Sequence, residues 1–131
     1  MPLRYPNIEE FEFFFPNVVL SGGDVTLMGM PFNGTVAGFR AAVRTALDAN
    51  NVDIGIQNAA NAVLSSTLNI ASADAAGTIF GAAGNGVPIP RGTILKLDEV
   101  ENGAVASGNA DIFLLLRKSE PGQIFDGIPR T

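Results

Sequence analysis

The sequence predicts an all-β domain, a sandwich or barrel of short strands, and three observations carry that expectation. Short apolar runs recur at regular spacing along most of the 131 residues. Clusters of Gly, Asn and Pro separate them, as turns separate strands. The run Ile112-Phe113-Leu114-Leu115-Leu116 is apolar without interruption, as expected of a strand in the middle of a sheet with both faces covered.

Taken in order, the first twenty residues read as an extended arm. Pro2, Pro6 and Pro16 bracket Ile8-Glu9-Glu10-Phe11-Glu12-Phe13-Phe14-Phe15, and proline fixes φ and blocks helix continuation. Phe11, Phe13, Phe14 and Phe15 would form an exposed apolar patch if left in water. The segment is therefore either a first strand packed on its own domain or an arm that docks onto a neighbouring subunit. Val25 to Met30 alternates like a strand, and Pro31-Phe32-Asn33-Gly34 makes a turn. In the segment from Gly34 to Asn50, Val36, Phe39, Val43 and Leu47 repeat at helical spacing. The same stretch alternates, with Phe39, Ala41, Val43 and Thr45 on one side and Arg40, Ala42 and Arg44 on the other. Strand and helix both fit residues 36–47.

Val52 to Gln57 is a period-two strand, and Thr67 to Ala71 and Gly77 to Phe80 are shorter candidates. Gly81 to Gly86 reads as a flexible glycine-rich loop, because its spacing fits neither nucleotide-binding fingerprint. Thr93 to Leu97 and Asp111 to Arg117 are the strongest strands, and Asn102-Gly103 and Ser107-Gly108-Asn109 between them suggest a hairpin. The tail from Ser119 to Thr131 places Ile124 and Phe125 among Pro121, Gly122, Gly127 and Pro129, a second extended arm with one apolar anchor. The chain thus divides into an arm over 1–20, a β-sandwich over 21–118 and an arm over 119–131.

Composition narrows the function. The charged fraction of 16% lies well below the ~25% of ordinary soluble domains. Such a surface either faces other protein or is covered by Gly, Ser, Thr and Asn. Net charge is −5 and the eight basic residues are scattered, which argues against a nucleic-acid partner and against a polybasic membrane anchor. The chain has no Cys and no His, so disulfides, thiolate chemistry and the commonest general base and zinc ligand are ruled out. No signal peptide or membrane span is evident, so synthesis in a cytoplasm without membrane insertion is expected. Asp98, Glu99 and Glu101 follow a strand, and Asp24 and Asp111 begin others. They are the residues from which paired-carboxylate or hard-cation chemistry would have to come. Strand-end acids are ordinarily solvated, and neither an enzyme nor a bound cofactor or metal is expected.

Met30-Pro31-Phe32-Asn33-Gly34-Thr35-Val36, Pro90-Arg91-Gly92-Thr93-Ile94-Leu95 and Ala110 to Arg117 together resemble small jelly-roll-like β-sandwich proteins encoded near tailed-bacteriophage capsid genes. These are head decoration, cement or head-fibre proteins. The resemblance spans residues 25–118 and rests on turn chemistry. It implies a jelly-roll-like β-sandwich in which residues 36–47 are a strand. It also implies a non-enzymatic virion protein, assembled in the host bacterial cytoplasm, that binds the major capsid protein or other virion subunits on the capsid surface. A homo-oligomer is implied, with a trimer favoured. The arms, through Phe11, Phe13, Phe14, Phe15, Ile124 and Phe125, would clasp neighbours by strand addition. Each buried Phe would contribute roughly 1.5–3 kcal/mol, against ~1–2 kcal/mol per residue for ordering the arm. The alternative is a jelly-roll module of a phage fibre that binds carbohydrate or a receptor, although the chain has no Trp and one Tyr.

Overall fold

A computed structural model of the chain describes residues 9–21 and 23–119. They form eight strands: β1 Glu9–Val19, β2 Val25–Gly29, β3 Gly34–Thr45, β4 Asn51–Asn58, β5 Leu68–Ala71, β6 Ile79–Ala83, β7 Ile94–Asn102 and β8 Asn109–Lys118. All pairings are antiparallel, in two four-stranded sheets of order β1-β8-β3-β6 and β2-β7-β4-β5. The pairs β1·β8, β2·β7, β3·β6 and β4·β5 are nested, as in one long hairpin rolled over itself. Pairs β3·β8 and β4·β7 then close each sheet. This is the strand order of an eight-stranded jelly roll, and it forces a turn of the chain to cross between the sheets after nearly every strand.

Period-two alternation builds the core from both sheets. Ala110, Ile112, Leu114 and Leu116 of β8 are fully buried, as are Val52, Ile54 and Ile56 of β4 and Leu95 and Leu97 of β7. The opposite residues of β8 are half-covered or exposed. The strand is central in its sheet, as its apolar run predicts, but its outer face is covered by side chains of β1 and β3 rather than by a third layer.

Residues 36–47 are resolved in favour of a strand through Thr45. Residue β3-Val36 faces the core three positions before Phe39 because the register with β8 shifts between Val36 and Gly38. That bulge, one extra residue in the ladder, produced the helix-like spacing.

Three other expectations are corrected. The hairpin between β7 and β8 does not form. Gly103, at φ +99°, does turn the chain, but β7 and β8 lie in different sheets and the connection crosses the sandwich. Gly81 to Ala83, expected in a loop, are in β6, and Gly84 continues as a bridge to Ser65. The glycine there answers a packing demand, since a Cβ on Gly84 would stand 1.6 Å from the Val36 carbonyl oxygen. Lastly, residues 9–19 of the expected arm lie on the chain's own sheet. β1 runs in register along β8 from Glu9↔Lys118 to Phe15↔Ile112. Pro16 and Asn17, the latter at φ 54°, form a bulge rather than a stop, and beyond it Val18 and Leu20 enter the core. The alternation Phe11, Phe13, Phe15 explains this placement: each sits opposite a fully buried residue of β8.

Candidate docking surface

The outer face of the β1-β8-β3-β6 sheet is where Phe14 of the Phe cluster meets solvent. Register sets Glu10 opposite Arg117, Glu12 opposite Leu115 and Phe14 opposite Phe113 on β8; β3 then sets Arg40 opposite Phe113 and Ala42 opposite Asp111. Phe14 stacks on Phe113 at 4.9 Å between ring centroids, and the Arg40 guanidinium lies 4.9 Å from the same ring. Arg40 also donates to Glu12 at 2.6 Å, Arg117 donates to Glu10, and Lys118 lies 3.6 Å from Glu9. Every acid of β1 is therefore matched by a cation from β3 or β8. Arg44 donates through Nε and Nη2 to both oxygens of Asp111, at 3.1 and 3.0 Å. That guanidinium, with the Asn17 N–H as a second donor, holds the Asp111 carboxyl below the usual carboxylate range.

The four phenylalanines have separate positions. Phe13 and Phe15 pack against the core. Phe11 is 42% exposed at the sheet margin, with its ring 5.4 Å from that of Phe32, and Phe14 is 52% exposed on the outer face. Ile124 and Phe125 lie outside the described residues. Among the described residues no strand pairs with the outer edge of β1. That edge is eleven residues long, whereas the other edge strands β2, β5 and β6 have five, four and five.

The carboxylates singled out in the sequence are not brought together. Glu99 turns inward and is buried, Glu101 is exposed, and Asp111 is on the other sheet. Asp24 lies beside Asp98 and also accepts from the Glu99 N–H at 3.3 Å. Lys96 donates to Asp24 at 2.7 Å and holds its carboxyl below the ordinary value, while burial and the neighbouring Asp24 push Asp98 up. No group of three or more ligating side chains occurs among the described residues. Among the depressions on the surface of the described residues are two lined in part by β3. One, of about 210 Å³, lies over Gly38 and Gly81 beside Arg40 and Phe113. The other, of about 280 Å³, is walled by Pro88, Ile89 and Pro90 at the end of the sandwich where β8 terminates.

Sequence reasoning missed the cross-strand ladder Glu10–Arg117, Glu12–Arg40 and Asp111–Arg44. Its partners are 107, 28 and 67 residues apart, and only the register reveals them.

No protein-family model matches the chain, and no curated protein is a significant match. Among solved structures, a chain of the cyanophage Pam1 capsid asymmetric unit is similar. It is 12% identical, with 90% of this chain and 94% of that chain covered and a TM-score of 0.49. A likeness at that level carries no argument about function.

Proposed function

We propose that the chain is a structural virion protein, a decoration or cement protein of a phage head, which docks on capsid subunits through the outer edge of β1. The observation that supports this best is the length and dress of that edge. Native sheets usually keep exposed edges short or charged, because unpaired N–H and C=O groups template another strand. Here the edge is long, Phe11 and Phe14 are exposed beside it, and the charges that would repel a partner are matched within the chain. An extended segment of a capsid subunit laid along Glu9 to Phe15 would gain backbone hydrogen bonds from the edge and side-chain contacts from the two rings. The bulge at Pro16-Asn17 ends the usable stretch.

A carbohydrate-binding role is less well supported. Sugar stacking needs an open aromatic face beside polar groups, and Phe113 is covered by Phe14 from one neighbouring strand and Arg40 from the other.

Co-sedimentation of the purified chain with empty heads of the phage that encodes it tests the proposal. Saturable uptake is expected, together with at least a tenfold affinity loss, about 1.4 kcal/mol, in Phe11→Ala/Phe14→Ala. The variant should keep its β-sheet circular dichroism. Absence of uptake, or a variant that binds as tightly as the parent, would overturn it.

A further inference from the structure

The outer face of the β1-β8-β3-β6 sheet is divided lengthwise, between β8 and β3, in both size and charge. Register sets Phe14, Phe113, Arg40 and Gly81 in one cross-strand row and Glu12, Leu115, Gly38 and Ala83 in the next. The bulky apolar members of these rows, Phe14, Phe113 and Leu115, therefore all stand on the β1-β8 half. Beyond β8 the face falls away into the depression of about 210 Å³ over Gly38 and Gly81. Charge follows the same line. Outward-facing Glu10, Glu12 and Asp111 with one cation, Arg117, give the β1-β8 half a net −2, and Arg40 and Arg44 give the β3-β6 half +2. The ion pairs within the sheet leave Glu12, Arg40, Arg44 and Arg117 about half-exposed, so each keeps a side open to a group outside the chain.

We propose that this face receives the same face of a second copy, across a two-fold axis that runs parallel to the strands between β8 and β3. An isologous contact needs a patch complementary to itself, and the lengthwise division supplies it. Such an axis lays β8 over the other copy's β3 and β1 over its β6, and it keeps every cross-strand row at its own level. Phe14 then stands over Gly81 of the other copy and Leu115 over its Gly38, bulk against gap, while Phe113 faces Arg40, a pairing of ring and guanidinium. The acidic half covers the basic half. An axis across the strands would instead set acidic strand on acidic strand and bulky half on bulky half. The four strands hold 11, 10, 12 and 5 residues, and each residue covers ~16 Å² at spacings of ~4.8 and ~3.4 Å. About 600 Å² per copy would be covered, the low end for a specific contact, so association depends on concentration. A face is covered and no edge, so the β1 edge stays open to a capsid strand, and the inference goes beyond the docking proposed above.

Sedimentation of the purified chain over a range of concentrations should show a monomer–dimer equilibrium. Phe14→Ala, which removes the knob, and Gly81→Leu, which fills the gap, should each raise the dissociation constant roughly tenfold or more while keeping the β-sheet circular dichroism. A Cβ at residue 81 meets nothing closer than 3.7 Å, so the larger side chain leaves the fold intact. The chain has no cysteine, so introduced thiols report without background. Glu12→Cys and Ala83→Cys chains, mixed and treated with a bismaleimide spanning ~10 Å, the distance between stacked sheets, should give a covalent heterodimer. Val100→Cys, on the other sheet, should give none when it replaces Ala83→Cys. A chain that stays monomeric to millimolar concentration, or assembles to another mass, overturns the proposal. So does either variant associating as tightly as the parent, or a Val100→Cys cross-link as strong as that of Ala83→Cys. No heads enter these measurements, so failure here leaves the docking reading standing, and failure of uptake onto heads leaves the dimer standing.

Discussion

Replacing Gly84 by alanine tests the packing of the residue that follows β6 against the backbone of β3. An alanine Cβ at that position would stand 1.6 Å from the Val36 carbonyl oxygen and 2.5 Å from its carbon. Both are backbone atoms of a strand held on its other side by β8, so no side chain can swing away. The strand end has to lift. Lifting threatens the hydrogen bond from the Gly84 N–H to the Ala37 carbonyl, 2.9 Å, and those of the flanking backbone, Ser66 N–H to Ala83 at 3.0 Å and Asn85 N–H to Leu64 at 3.0 Å. Overpacking costs ~1–3 kcal/mol, and each backbone bond lost adds ~1 kcal/mol. A destabilisation of about 2–4 kcal/mol follows, or on the order of 10 °C in Tm for a domain of this size. Gly81→Ala is the matched control. Its Cβ would meet nothing closer than 3.7 Å, from Arg40 Cγ, so the added methyl should change stability by less than ~0.5 kcal/mol. Urea unfolding of both variants, with equal m-values required, is the assay. If the two alanines lie within ~0.5 kcal/mol of each other, β6 does not approach β3 as described and the close-packing explanation is wrong.

Two further outcomes are expected. Ser65, buried, accepts from the Ile56 N–H at 2.9 Å and donates to the Ser66 carbonyl; Ser65→Ala should therefore cost ~1–3 kcal/mol and selectively speed amide exchange at Ile56, and a neutral substitution with unchanged exchange would contradict the bond. Asp24, Asp48, Asp53 and Asp111 are held below their ordinary values by, respectively, Lys96, the Ser107 N–H, Asn69 and Arg44, whereas burial raises Asp98. A lowered carboxylate binds more protons unfolded, so its contribution is lost as pH falls below about 4; the raised Asp98 binds more protons folded, so stability should first rise as pH drops from neutrality. Urea titrations should show a maximum in the mildly acidic range, and Asp98→Asn should flatten the rise on its neutral side.

Strand identity was legible wherever a strand keeps strict alternation, and obscure wherever long-range pairing breaks it. β4, β7 and β8 have their inward residues two apart and were found. β3 alternates on both sides of its bulge but the bulge breaks the phase, and the three-residue step from Val36 to Phe39 imitated a helix face. Glycine at 84 reads locally as flexibility, while its cause is the Val36 carbonyl 48 positions away in the sequence. Turn chemistry is local, so Asn102-Gly103 announced a turn; which sheet the chain enters afterwards is not local, so the hairpin expected there was wrong. The candidate surface divides in the same way. The Phe cluster was visible as composition, and the alternation of Phe11, Phe13 and Phe15 held the information that part of it points inward. The cations that match Glu10 and Glu12 come from β8 and β3, and no local pattern announces them.

The placement of β1 also changes what a docking strand can be in this molecule. A free arm would surrender nothing within its own domain when it clasps a neighbour. β1 as folded would uncover an edge of β8 and withdraw Phe13, Phe15, Val18 and Leu20 from the core. Detaching it loses most of a ladder and several side chains whose burial stabilises by roughly 1.5–3 kcal/mol each. Binding through a detached β1 would therefore need a partner that replaces all of these contacts before any net affinity appears. Pairing along its outer edge needs no such exchange, since β1 keeps β8 on one side and offers the other. The matched acids make that side usable: Glu10 and Glu12 would repel an acidic strand if bare, but Arg117 and Arg40 already neutralise them. The same sequence feature that reads as an extended arm thus acts best as a fixed edge.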